Sequence, residues 1–139
     1  MRIVLDTNVL VSGLWSPFGP PGEIVGLVAA GALPLLLDER ILGEYREVLA
    51  RRGFGFDPDM VESLLLQVEA TGEFVVARPL PERLPDPDDE SFLEVALAAH
   101  ADFLVTGNLR HFPGRLRQGV AVVSPREFIE ALRGQWQRG

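Results

Sequence analysis

Residues 1–14 read MRIVLDTNVLVSGL. Residues 2–5 have the apolar character of a buried strand and are too few for a helix, yet they run straight into Asp6, Thr7 and Asn8 before apolar residues resume at Val9. A carboxylate directly behind such a strand has two readings. Asp is a good N-cap for a helical turn beginning near Val9. It also stands where open α/β sheets gather their sites, outside the carboxyl ends of the strands.

The rest of the chain repeats the strand signal. Short apolar runs at 33–37, 74–77, 103–106 and 120–123 are each bounded by turn residues or acids, and helical patterns fill the intervals at 21–30, 39–51, 58–70, 87–100 and 125–133. Asp57-Pro58, Asp86-Pro87 and Ser124-Pro125 each place a capping side chain before a proline at the first helical position, and Ser124 with Glu127 makes a capping box. The Gly and Pro cluster at 16–22 reads as a loop between a short first helical turn and the next helix. Strand and helix alternate, so the expectation is an α/β fold with a central, mostly parallel sheet of about five strands. At 139 residues it is a single domain, 1–139, with a tail from about 134 expected to fray around Trp136.

Composition removes several chemistries. The chain has no Cys, which excludes disulfides, thiolate metal sites and thiol catalysis and is compatible with a reducing compartment. All thirteen basic residues are Arg, so Schiff-base chemistry, the P-loop phosphate site and a Lys-dependent phospho-receiver site are excluded too. No apolar run reaches bilayer length and the N-terminus lacks a secretory signature, so a cytoplasmic protein without membrane association is expected. A net charge of −7 argues against coating nucleic acid through a bulk positive field and leaves room for a local site.

The acids can be sorted by position. Asp38 sits where a cap for the 39–51 helix belongs. In DPDDESFLEVALAAH (86–100), Asp88 and Asp89 fall in a first helical turn, where the helix dipole favours carboxylates. At about 100° per residue, however, Asp89 lines up with the buried stripe of Phe92, Leu93 and Ala96, and Asp88 only with its margin. A carboxylate on a buried face needs a partner. Two partners are open: a divalent cation shared with Asp6, or an Arg from elsewhere in the fold. In LDERILGEYREVLARR (37–52), Glu44 flanks the stripe of Ile41, Leu42, Tyr45, Val48 and Leu49 while Glu47 points away, so Glu44 is the inward candidate unless Arg40 pairs with it.

Taken together, these segments resemble the PIN-domain family of metal-dependent ribonucleases, in particular the toxin subunits of toxin–antitoxin pairs. IVLDTNVLVSGL looks like that family's opening strand and first acid, the helix around Glu44 and Tyr45 like the segment supplying its second acid, and DPDDESFLEVALAAHADFLVTGN like its third-acid helix and following strand. The resemblance implies a three-layer PIN-like fold, with Asp6, Glu44 and Asp89 holding Mg²⁺ or Mn²⁺. Many relatives carry an Asp after Thr-Gly where this chain has Asn108. That leaves three carboxylates, with an amide that can bond a metal-bound water but cannot act as a base. The implied catalytic set is Asp6, Glu44, Asp89 and Asn108. Thr7, Asn8, Thr106 and Arg110 are the expected substrate contacts, with Thr7 and Asn8 also supporting Asp6 or capping the next turn.

The activity implied is hydrolysis of phosphodiester bonds in single-stranded or looped RNA by a toxin that a small antitoxin neutralises and that pairs into a homodimer or higher homo-oligomer. The alternative is a catalytically weak or inactive PIN-fold module for protein or RNA interaction, favoured by Asn108. Phosphotransfer through an aspartyl-phosphate is disfavoured, because a second Asp two residues after Asp6 and a following Lys are both missing. Between Phe103 and Pro125 there is no acid, while Arg110, Arg115, Arg117 and His111 fall there, close behind Asn108. Their cations could reach a strand lying across the acids. Trp15 and Phe18, in the early loop, are open to two readings: contact with RNA or a partner, or packing under the loop.

Overall fold

The computed structural model describes residues 1–138, with side chains described through Gln135. Five parallel strands form the centre: β1 (Ile3–Leu5), β2 (Leu36–Leu37), β3 (Glu73–Phe74), β4 (Phe103–Val105) and β5 (Val122–Val123). β1, β4 and β5 pair in that order and β2 pairs with β3, with an isolated parallel bridge between Ile3 and Leu35 joining the two groups. The resulting order is β3-β2-β1-β4-β5. The chain winds outward from β1 in one direction and then the other, so the order reverses between β1 and β4. That point lies beside Asp6.

Six helices flank the sheet: α1 (Thr7–Trp15), α2 (Pro20–Ala29), α3 (Glu39–Leu49), α4 (Pro58–Thr71), α5 (Glu90–Ala98) and α6 (Pro125–Arg138). α5 packs on β1, β2 and β4, α6 on β4, and α3 on β2 and α5. Ile3, Val4 and Leu5 are fully buried, as a central parallel strand covered on both faces requires. The α/β architecture expected from the alternation is the one observed.

Several boundaries differ from expectation for local reasons. The short first turn is a nine-residue helix, because Gly13 lets α1 approach α2 closely: a Cβ there would lie 2.4 Å from Val25 Cγ2 and 2.5 Å from the Pro21 carbonyl oxygen. β2 keeps only the end of its apolar run, since Pro34 has no N–H for the ladder. β3 is an edge strand, and it gives out after the Val75 N–H bonds Leu37 O, with Pro79 and Pro81 following. The 87–100 helix divides into a 3₁₀ turn (Pro87–Asp89) and α5, leaving Asp89 at the junction. α6 continues past the expected 133; the side chain of Trp136 and Gly139 lie outside the described residues.

Candidate active site

β1 ends by handing its chain directly to α1. Asp6 has extended dihedrals (φ −65°, ψ 141°) and is the N-cap, with its Oδ1 accepting the Asn8 N–H at a long 3.4 Å. Its other oxygen, Oδ2, accepts the Thr106 hydroxyl at 2.8 Å, and its own N–H bonds Val105 O at 2.9 Å. Asp6 is therefore the N-cap and also stands buried at the carboxyl end of β1. One carboxylate oxygen caps weakly, and the group as a whole is buried at the switch point, 5% exposed. Burial raises its pKa, against the lowering effect of the Thr106 and Asn8 hydrogen bonds.

Three neighbours hold this junction. Tyr45, fully buried on α3, donates its hydroxyl to Leu5 O at 2.5 Å, and burial pushes the phenol well above its ordinary range, so it stays a donor. Thr106 is fully buried and also accepts the Asn108 N–H at 3.1 Å. Asn8 Oδ1 accepts the Gly107 N–H at 3.0 Å, tying the start of α1 to the loop after β4.

Two more carboxylates face the same cleft, whose volume is about 400 Å³ and whose walls include Asp6, Glu44, Asp89 and His111. Glu44 accepts a hydrogen bond from the Thr7 hydroxyl. Arg40, its possible i−4 partner, is engaged elsewhere, with Asp38 and Glu94. Burial raises the Glu44 pKa, and the charges of Asp6 and Asp88 add to the rise. Asp89 is 7% exposed while Asp88 is exposed, as the helical stripe required. Burial, followed by the charge of Asp6, pushes Asp89 up to about 6.

His111 is the residue that sequence reasoning undervalued. Asn108 Nδ2 lies 2.8 Å from His111 Nε2, so with the amide donating, the ring proton is assigned to Nδ1. Nδ1 stands 3.1 Å from Asp89 Oδ2 without hydrogen-bond alignment, and Oδ2 remains a buried oxygen with no hydrogen-bond partner. The signal was the three-residue step from Asn108, which a 3₁₀ turn over Leu109–His111 places on one side.

The other expected contacts divide by position. Thr7 and Asn8 border the cleft but spend their side chains on Glu44 and Gly107. Thr106 corrects the expectation of a substrate contact: a fully buried hydroxyl cannot touch substrate, and its part is to position Asp6. Asn108 turns toward His111, and Arg110 is exposed on the same 3₁₀ turn. Arg117, another of the loop's cations, donates instead to Phe112 O at 2.7 Å. Asp38 is the cap of α3, accepting the Ile41 N–H at 3.0 Å.

The donor set suits a hard divalent cation: oxygen ligands only, held by a shell of hydroxyl and amide donors, with one orphaned buried oxygen. Among the described residues, no three His, Asp or Glu side chains are grouped to hold a cation as they stand, and Glu44 is bonded to the Thr7 hydroxyl. The site is an acidic cleft with its carboxylates gathered but not yet closed into a cage.

A doubly wound parallel sheet with buried carboxylates at its switch point defines the class: an α/β protein with an acidic cleft outside the carboxyl ends of its strands. The family model described as PIN domain matches residues 2–110, from β1 through the loop after β4, and the chain belongs to the PIN-domain family. PIN domains are in general nucleases, hydrolases of phosphodiester bonds. No curated protein matches the chain. No helix among the described residues is long and apolar enough to cross a membrane.

Proposed function

We propose that this protein is a metal-dependent endoribonuclease acting on single-stranded or looped RNA. The observation that supports it is the cleft at the switch point, which Asp6, Glu44 and Asp89 all line and in which Asp89 Oδ2 is buried without a hydrogen-bond partner. Asp6 and Asp89 would hold Mg²⁺ or Mn²⁺, with Glu44 on the ion or its waters. Bound there, the cation would polarise the phosphate and lower the pKa of the attacking water. Thr106 and Asn8 keep the Asp6 carboxylate fixed, so little reorganisation is needed at that ligand. Thr7 draws Glu44 toward α1, and exchanging that bond would let the carboxylate enter the site. Arg110, exposed beside the cleft, would pair with a phosphate of the strand.

The same reading extends to a toxin role, a small antitoxin as partner and a homodimer or higher homo-oligomer in the cytoplasm. These rest on the resemblance of the three acid-bearing segments to toxin subunits. A second reading, a weak or inactive interaction module, is favoured by Asn108, which puts an amide engaged with His111 where many members of the family it resembles carry an acid.

Cleavage of a fluorogenic single-stranded RNA separates the two. Purified wild type, Asp6→Ala and Asp89→Asn are compared in Mg²⁺, in Mn²⁺ and in chelator. The nuclease reading expects cutting by wild type alone and only with metal. Equal cutting by all three would mean contamination, and no cutting with an intact metal-induced melting shift would favour the module.

A further inference from the structure

We propose that Trp15, Phe54 and Phe56 form a stacking platform for an unpaired base of a single strand whose phosphate lies over the carboxylate cleft. This rests on the nuclease reading for the phosphate and on independent geometry for the base. Trp15 is the last residue of α1, the helix that Asp6 caps. At about 1.5 Å rise per residue it stands roughly 13 Å along the helix from Asp6, within a few nucleotides of the acids.

Its indole meets Phe54 edge-on, with centroids 5.9 Å apart at 86°, and Phe56 at 6.1 Å and 82°. Phe54 and Phe56 stack on each other at 5.4 Å and 13°. Gly55 between them has φ +66°, a conformation an L side chain resists, and this turn lets both rings face one side. Phe54 also walls the cleft that holds Asp6 and Asp89, so platform and acids share one continuous surface.

A cluster assembled only for stability would bury its largest ring. Here Trp15 is 61% exposed, and the core is complete without it. The occupant must also suit the charge. Arg51 lines the cleft next to Phe54 with its guanidinium paired to Glu47, and Arg52 opens the same turn exposed and without a salt bridge among the described residues, so Arg52 is the cation open to a strand. In a chain of net charge −7, a cation beside an aromatic surface matches an anionic strand whose bases offer flat π faces. A base in a duplex has both faces covered by its neighbours, so the platform selects single strands.

The test measures binding of a labelled ten-nucleotide RNA, single-stranded or annealed to its complement, by fluorescence anisotropy in Mg²⁺. The protein is full-length Asp89→Asn, alone or combined with Trp15→Ala, Trp15→Phe or Phe54→Ala. Trp15→Ala should raise Kd for the single strand about tenfold, with Trp15→Phe within about threefold of the parent and duplex binding unmoved. A cooperative melting transition kept in each variant shows that the fold is retained; Trp15→Ala lowers its midpoint only slightly, since it removes two ring contacts and no core residue. A Trp15→Ala protein that binds single strands like its parent overturns the proposal and leaves the surface to a protein partner. So does an equal loss on the duplex, or no binding by the parent. If wild type cuts no RNA yet Trp15→Ala weakens binding, the platform stands and the nuclease reading falls. If wild type cuts and Trp15→Ala binds normally, the platform alone falls.

Discussion

Asp89 carries the titration behaviour of the cleft. Its ordinary pKa of 3.8 rises to about 6 in the fold, through burial and then the charge of Asp6. The folded protein thus holds this proton more tightly than the unfolded chain does. Its stabilising contribution is complete below the unfolded value and is lost as pH rises through about 6. In chelator, the melting temperature of wild type should carry a fall across that window that Asp89→Asn lacks; identical profiles would refute the assignment. Asp6→Asn removes one of the repelling charges while its amide oxygen can still accept from Thr106. It should raise the melting temperature of the metal-free protein by roughly 4 °C, the shift about 1 kcal/mol produces in a domain of this size. A lower value would mean that Asp6 is better satisfied than its burial implies.

The junctions between elements matter more to the site than the elements' interiors. Tyr45 reaches from α3 to the last carbonyl of β1, so Tyr45→Phe leaves Leu5 O without its buried donor one residue from Asp6. A cost of about 1–2 kcal/mol is expected in urea unfolding, with metal affinity also reduced because the strand end is less fixed. A change within experimental error would show that Leu5 O finds another donor. Gly13→Ala drives a Cβ into the Pro21 carbonyl, which can move only if α1 and α2 separate, and should cost about 1–3 kcal/mol. Gly43→Ala, in the interior of α3 with nothing near the added methyl, should instead stabilise by about 0.5–1 kcal/mol. Equal effects of the two substitutions would contradict this account of α1 and α2.

For the molecule as a whole, the sheet order decides where charge accumulates. β1 and β4 are adjacent while the chain departs from them in opposite directions, so their carboxyl ends open a crevice into which α3 and α5 bring Glu44 and Asp89. Carboxylates gathered this way disfavour one another's ionised forms, the charge of Asp6 adding to the burial that raises both Asp89 and Glu44. Mg²⁺ or Mn²⁺ at a hundredfold excess over Kd should stabilise by about 2.7 kcal/mol, read as a higher melting temperature that chelator reverses. The gain should be larger above pH 6 than below, because the ion and the proton compete for Asp89. A melting curve indifferent to both metals would count heavily against a cation site.

The local code was legible because it rests on short-range physics. The strand runs, the proline-marked helix starts, the Asp38 cap and the choice of Asp89 over Asp88 follow from hydrophobic period and capping chemistry, which act within a few residues. The second strand was overestimated where Pro34 denies the ladder a donor, the third because its pairing with β2 stops at Val75, and α1 was underestimated because its support is a contact with α2. The burial of Thr106 under Asp6, the turning of Asn108 toward His111, and the joining of Trp15 to Phe54 across some forty residues of chain were not legible. The sequence by itself determined which residues could carry charge at strand and helix ends. Only the tertiary structure decided which of them meet, because those distances are set by how the helices pack across the sheet and not by spacing along the chain.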